Sequence, residues 1–216
     1  MVANAPTLAL PIADQRYSVV DVETSGLSAR RHRILQIAVV TVDGAGEPVD
    51  HWSSDVRPHL WRVGPRQVHG LTIRRLRRAP PLHTLVPELV RRLDGTVVVA
   101  HNVGFDWAFV ARGLRRAGYE PPDALRLCTL NLSRSLDPEF ARSHRLADVC
   151  ERHGVELRNA HDALADALAT AVLLPRLLGE STAQSLDELG PVVRGSSKAW
   201  PAVAERRRRW SVRRRR

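Results

Sequence analysis

Apolar and polar positions predict strands in the first quarter of the chain. Three segments carry β-branched and apolar residues in strand-length runs: "YSVVDV" (17–22), "RILQIAVVTV" (33–42) and "PVDHWSSDV" (48–56). The Gly-containing stretch "DGAGE" separates the second from the third and favours a hairpin. We therefore expect these three strands to form an antiparallel meander.

Strand and helix patterns alternate in the rest of the chain. The segments 80–95 and 105–119 space their apolar residues as amphipathic helices do, and the short buried strand "TVVVAH" lies between them. Two further helices are predicted within 144–155 and 161–179. Strand–helix–strand order implies parallel pairing. The expected fold is α/β, with a mixed five-stranded sheet, an antiparallel meander followed by parallel strands, flanked by helices.

Length and composition indicate one globular domain. A chain of 216 residues with 44% apolar content can bury one sizeable core. We assign residues 16–180 to this domain, 1–15 to an N-terminal extension and 181–216 to a basic, flexible C-terminal tail. Because neither a secretory signal nor a run of roughly 20 apolar residues is visible, we expect a cytoplasmic protein without a membrane partner. Cys128 and Cys150 lack metal-site spacing and are expected to be buried, reduced thiols.

Positive charge is concentrated at the C-terminal end. The net charge is +10, of which residues 194–216 contribute +9. The segment "RRRRWSVRRRR" (206–216) has two interpretations, a solvated tail or a tether that neutralises nucleic-acid phosphates. Both stay open at this point.

Two carboxylates end the first predicted strand. Asp21 and Glu23 are two residues apart, so their side chains project from the same face. Their charges would repel each other unless a cation lies between them. A divalent metal ion is the simplest partner for this pair.

Other chemically active side chains follow at two later element boundaries. Asp106 lies among apolar residues where a strand leads into a helix, and His161 and Asp166 lie near the start of the last long helix. Five residues place His161 and Asp166 roughly 140° apart on an ideal helix, so they can share a site only if His161 precedes the regular helix. Each residue also has a simpler interpretation, since acids in a first helical turn complement the helix dipole. Four acids and a histidine at one sheet edge favour a common site.

These motifs resemble those of the DEDDh group of DnaQ-like 3′-to-5′ exonucleases, whose fold resembles that of ribonuclease H. The resemblance covers about residues 16–178 and rests on three ordered motifs: DxET followed by Gly26 and Leu27, HNxxFD from His101 to Asp106, and HxAxxD from His161 to Asp166. "VHGLT" (68–72) and "LCTLNLSR" (127–134) resemble two further family segments, with Cys128 where an acid is common.

The resemblance implies a catalytic and a substrate-binding set. Two Mg²⁺ or Mn²⁺ ions would be held by Asp21, Glu23, Asp106 and Asp166, and His161 would be the general base. The implied substrate-binding residues are Thr24, Gly26, Leu27, His69, His101, Asn102 and Phe105.

The resemblance also implies a function. We expect hydrolysis at single-stranded or frayed 3′ ends of DNA, releasing nucleoside 5′-monophosphates in proofreading or repair, with a DNA polymerase subunit as a candidate partner. RNA trimming and a non-catalytic nucleic-acid scaffold are the alternatives. The segment "IRRLRR" (73–78) places four arginines beside the expected substrate entrance, where they form either a solvated face or a phosphate contact.

Overall fold

A mixed sheet of six strands forms the centre of the molecule. The computed structural model describes residues 6–58 and 63–203. Across the sheet the strands follow the order β3-β2-β1-β4-β5-β6. Their bounds are β1 Tyr17–Thr24, β2 Ile34–Val42, β3 Pro48–Asp55, β4 Val97–Ala100, β5 Arg126–Cys128 and β6 Val193–Arg194.

The predicted meander and the parallel strands are both confirmed. β1 pairs antiparallel with β2, β2 pairs antiparallel with β3, and β4 lies parallel to β1 and to β5. All nine residues of β2 are buried, which fits its continuous run of apolar and β-branched side chains. In the β1–β2 ladder, Glu23 lies opposite Gln36, and the register shifts between Glu23 and Thr24.

Helices cover both faces of the sheet. The longer helices are preceded and separated by short ones, with bounds α1 Arg66–His69, α2 Ile73–Leu76, α3 Leu82–Leu93, α4 Val103–Arg116, α5 Thr129–Ser135, α6 Leu146–Arg152 and α7 Ala163–Ser181. One core layer joins Val19 and Val40 of the sheet to α7, and the other joins Val20 and Val39 to α3 and α4. The alternating direction of strand side chains separates these two layers.

The predicted number of strands and the predicted extent of the flexible tail are both wrong. β6 pairs antiparallel with β5 and adds a sixth strand, because its backbone satisfies the outer edge of β5. Farther along, Trp200 is buried against Trp107 and Tyr119, with ring centroids 6.0 and 6.3 Å away. The Tyr119 hydroxyl donates to the Pro201 carbonyl at 2.6 Å. Residues 193–201 therefore belong to the folded unit, and the arginine-rich segment 206–216 lies outside the described residues.

The segment before β1 also packs on the domain. Pro11 forms a bridge with Ser185, and the Tyr17 hydroxyl donates to the Ile12 carbonyl at 2.9 Å. Both cysteines are buried and free, as predicted. Among the helices of the described residues, none combines the length and apolar character that crossing a membrane requires.

Candidate active site

The carboxyl end of β1 directs two acids toward α7. Tyr17 and Val19 pack in the core layer beneath α7, and the two-residue period of the strand carries this face on to Asp21 and Glu23. Asp21 is half-buried, and Glu23 is 9% exposed. The sheet therefore presents both carboxylates to the N-terminal end of α7.

Asp106 reaches the same edge from the first turn of α4. It is 4% exposed, and its Oδ1 accepts a hydrogen bond of 3.2 Å from the backbone N–H of Val22. α4 begins shortly after β4 ends, and β4 lies beside β1. The order of elements thus places this acid next to the β1 carboxylates, although 84 residues separate Asp106 from Val22.

The turn before α7 brings His161 to Asp166. His161 has a left-handed φ of 69° and lies before the helix, whose N-cap is Asp162. Its backbone N–H donates to Asp166 Oδ2 at 3.2 Å. The sequence analysis required His161 to precede the regular helix if it shares a site with Asp166. The structure meets this requirement, because His161 belongs to the turn before α7.

Three of these side chains form a compact ligand set. Glu23, His161 and Asp166 each offer one ligand atom, and these atoms lie within 4.8 Å of one another. Asp166 Oδ1 is buried without a hydrogen-bond partner among the described residues. A buried carboxylate oxygen without a donor costs free energy unless a cation or proton meets it. The carboxylate oxygens of Glu23 and Asp166 suit a hard divalent cation such as Mg²⁺ or Mn²⁺.

Burial and mutual repulsion raise the pKa of all four acids. Burial, reinforced by the charges of Asp106 and Asp166, raises the pKa of Asp21 well above its usual range. Burial first and then the charges of Asp166 and Asp162 raise the pKa of Glu23 to about 7. Burial also raises the pKa of Asp106 to about 8 and that of Asp166 above its usual range. Ionisation of these four carboxyl groups is unfavourable in the metal-free protein, and a bound cation would favour it.

The end of β1 and the turn after it contain three of the predicted substrate-binding residues, Thr24, Gly26 and Leu27. Thr24 Oγ1 donates to the Gly26 carbonyl at 2.9 Å, and Leu27 is 86% exposed at the tip. Gly26 has a φ of 150°, and a Cβ atom there would lie 2.6 Å from the His32 ring. Glycine therefore allows the tight turn that exposes Leu27.

Two predicted substrate-binding histidines form hydrogen bonds to groups of the protein itself. His69 is buried, with Nε2 at 2.8 Å from the Val63 carbonyl and Nδ1 accepting from the Leu71 N–H at 3.0 Å. His101 Nε2 donates to the His144 carbonyl at 2.9 Å, and burial lowers the His101 pKa. Both rings hydrogen-bond within the protein, and their role in substrate binding stays a prediction.

The other two predicted residues lie at the start of α4. Asn102 is exposed in a left-handed conformation with φ 79°, and Phe105 is half-buried. The Phe105 ring packs on Phe109 with centroids 5.0 Å apart. Both residues precede Asp106 in the chain, and their role in substrate binding stays a prediction.

Sequence reasoning missed a buried amide beside the site. Gln36, opposite Glu23, accepts from the Ala163 N–H at 3.0 Å and donates to Asp162 Oδ2 at 3.2 Å. A polar residue inside the apolar run "ILQIAVV" was the available signal. Asp162 is the N-cap residue of α7.

Comparison with known families identifies the class of protein. Residues 18–174 match the RNase_T family, described as exonuclease. The family match and the ribonuclease H-like sheet together indicate a nuclease, an enzyme that hydrolyses nucleic acids. The chain belongs to the RNase_T exonuclease family, and the predicted relationship to DnaQ-like exonucleases is confirmed.

Related proteins include a polymerase and two solved exonucleases. The chain is 34% identical over 168 residues to the DNA polymerase III PolC-type of Bacillus cereus, covering 77% of this chain but only 12% of that polymerase. Exonuclease X in complex with 5′-overhanging duplex DNA superposes with a TM-score of 0.63 at 27% identity, covering 81% of this chain and 99% of that one. Exonuclease I superposes with a TM-score of 0.67 at 22% identity, covering 77% and 43%.

Proposed function

We propose that the protein is a metal-dependent 3′-to-5′ exonuclease that acts on DNA and releases nucleoside 5′-monophosphates. The observation that carries this proposal is the convergence of ligand atoms of Glu23, His161 and Asp166 within 4.8 Å, together with the half-buried Asp21 and the buried Asp106. Such a set is costly to the folded protein without a cation, and family membership explains its presence.

Four acids would hold the metal ions. Asp21, Glu23, Asp106 and Asp166 offer hard oxygen ligands, and the unpartnered Oδ1 of Asp166 fits such a role. Two divalent ions, when bound, would supply a water nucleophile at neutral pH and neutralise charge on the reacting phosphate.

The chain's own residues would divide the remaining work. The His161 imidazole is exposed at the mouth of the site, where it would take the proton of the attacking water. The turn carrying Thr24 and Leu27 would orient the terminal nucleotide. The Val22 N–H holds Asp106, and the His161 N–H holds Asp166, in their orientations toward the site.

DNA is the proposed substrate because of two relatives. One is a DNA polymerase at 34% identity, and the other is an exonuclease solved with duplex DNA at 27% identity. The matched region makes up 12% of that DNA polymerase III, so a segment similar to this chain is part of a DNA polymerase. We propose a DNA polymerase as the partner on the same ground, testable by co-sedimentation with purified polymerase and by the error rate of primer extension.

A single set of reactions tests the proposal. The purified protein is given 5′-labelled single-stranded DNA, a primer–template with a mismatched 3′ end and RNA of the same sequence, each with Mg²⁺ or Mn²⁺. Progressive shortening of the labelled DNA and release of 5′-monophosphates are expected, with Asp21→Asn as the inactive control. Faster degradation of RNA would replace the DNA proposal with RNA trimming. Binding of all three substrates without cleavage would favour the non-catalytic scaffold.

A further inference from the structure

The buried amide of Gln36 links the strand beside Glu23 to the helix that carries Asp166. Gln36 is 4% exposed and lies directly opposite Glu23 in the β1–β2 ladder. Residues directly opposite each other in an antiparallel pair point to the same face of the sheet. The Gln36 side chain therefore extends beside Glu23 toward α7.

The amide meets the start of α7 with both of its polar atoms. Gln36 Oε1 accepts from the Ala163 N–H at 3.0 Å, and Nε2 donates to Asp162 Oδ2 at 3.2 Å. The other oxygen of Asp162 accepts from the N–H groups of Leu164 and Ala165, at 3.1 and 3.3 Å. Gln36 and Asp162 together satisfy the three first N–H groups of α7, which no helical carbonyl can reach.

We propose that Gln36 is a positioning residue that fixes the distance between Glu23 and the His161–Asp166 turn through its two bonds to Asp162 and Ala163. The inference rests on the proposed function, since it concerns the same metal-binding acids. Gln36 belongs to β2, Glu23 to β1, and Asp166 to α7. A shift of α7 along the sheet would separate the ligand atoms that now lie within 4.8 Å. The amide opposes such a shift because both of its bonds are directional, and the bond to the Ala163 N–H is buried.

A reciprocal exchange of donor and acceptor tests this arrangement. Gln36→Glu places a carboxylate against Asp162 Oδ2, and the two charges repel. Asp162→Asn supplies an amide donor at that position while its oxygen still caps α7. In the double variant, the carboxylate introduced at position 36 accepts from the new amide and from the Ala163 N–H, so the bond between the two side chains returns with reversed polarity.

The primary measurement is Mn²⁺ affinity of the metal-stripped protein by titration calorimetry, without substrate. Loss of a residue that orients metal ligands typically weakens metal binding by about 10- to 100-fold. We expect this loss for Gln36→Met, which removes both bonds at similar volume, and for Gln36→Glu, with recovery to within about threefold of wild type in Gln36→Glu/Asp162→Asn. On DNA, kcat should fall with Mn²⁺ affinity, while KM should change little.

Gln15→Met is the matched control. Gln15 is 1% exposed, precedes β1 at the end away from the acids, and donates through Nε2 to the carbonyls of Thr7 and Leu10. Its loss should lower Tm but leave Mn²⁺ affinity unchanged.

Two results would overturn the inference: Gln36→Met binding Mn²⁺ as Gln15→Met does, or a double variant no better than Gln36→Glu. The inference and the proposed function can fail separately. If wild type binds Mn²⁺ but leaves every 3′ end intact, the function fails, and the variants still decide the role of Gln36.

Discussion

The backbone N–H of His161 donates a hydrogen bond of 3.2 Å to Asp166 Oδ2. This bond closes the turn before α7 and leaves the imidazole exposed while Asp166 is half-buried. The side chain of His161 is therefore separate from the contact that holds the turn. We therefore expect that replacing the imidazole lowers the reaction rate and leaves the turn intact.

The four acids should be required for turnover and not for folding. In Asp21→Asn, Glu23→Gln, Asp106→Asn and Asp166→Asn, activity should fall to the assay background, because each amide removes a charged ligand. The metal-free Tm should stay constant or rise, since a repelling charge is lost. Turnover by gel assay and melting by circular dichroism check this. Near wild-type activity of one variant at saturating Mg²⁺ would remove that residue from the ligand set.

His161 should affect rate more than metal binding. His161→Asn keeps the backbone bond, and asparagine tolerates the left-handed φ of 69°. Loss of a general base typically lowers kcat by about 10²- to 10⁴-fold. Mn²⁺ affinity should change much less than kcat, which titration calorimetry and single-turnover rates measure.

His153→Ala is the control for the His161 variant. His153 lies at the end of α6, where Nδ1 is 3.1 Å from Glu180 Oε1. This substitution should leave kcat and Mn²⁺ affinity unchanged. A kcat of His161→Asn equal to that of the wild type would show that the water loses its proton without this histidine.

Stability of the metal-free protein should fall as pH rises. Burial raises the pKa of Glu23 from 4.5 to about 7 and that of Asp106 from 3.8 to about 8. The folded state therefore binds more protons than the unfolded state across roughly pH 4 to 8, and its stability is lost over this window. From Glu23 alone we expect a drop in Tm of roughly 5–10 °C.

Melting curves in EDTA at about pH 5 and pH 8 measure this effect. Glu23→Gln should flatten the dependence, and saturating Mg²⁺ should restore stability at the higher pH, because the ion binds the ionised acids. A wild-type Tm in EDTA that is as high at the upper pH as at the lower would contradict the raised pKa values.

The arginines of α2 and the following turn should contact substrate phosphates. Arg75 is held by Asp55, with Nε at 2.5 Å and Nη2 at 2.7 Å from the carboxylate oxygens. Asp55 and Arg75 line a surface groove, and the exposed side chains of Arg74 and Arg78 line it as well. Arg74→Gln/Arg78→Gln should raise KM for DNA several-fold and reduce its salt dependence by about 0.7 to 0.9 per lost contact. The kcat value should stay constant.

Arg91→Gln/Arg115→Gln removes the same charge elsewhere and serves as the control. Both arginines are exposed and pair with glutamates, Arg91 with Glu88 and Arg115 with Glu120. An equal rise in KM for both double variants would assign the effect to net charge instead of to the groove.

The segment 206–216 should act as a tether on long strands. It contains eight arginines and Trp210, whereas residues 1–193 sum to only +1. Its deletion should raise KM on long single strands and flatten the salt dependence, while kcat on a dinucleotide stays constant. Equal KM and equal salt slope for the full-length and truncated proteins would rule the tether out and leave the solvated tail.

The sequence determined five of the six strands and the positions of the acids at element ends. Strand and helix patterns are local, so the meander, the parallel strands and the positions of the acids at element ends follow from periodicity alone. The angle between His161 and Asp166 likewise required His161 to precede α7, as it does. The three ordered motifs pointed to the exonuclease family before any fold was known.

Only the tertiary structure decided which polar groups are engaged inside the protein. Gln36 contacts α7 across 126 residues, His101 contacts the His144 carbonyl, and Trp200 packs against Tyr119, and no local pattern encodes such pairings. β6 was missed because two residues carry no detectable period, and its strand character comes from the open edge of β5. Long-range contacts of this kind depend on which surfaces remain to be covered once the elements assemble. For that reason they are properties of the packed chain and not of its segments.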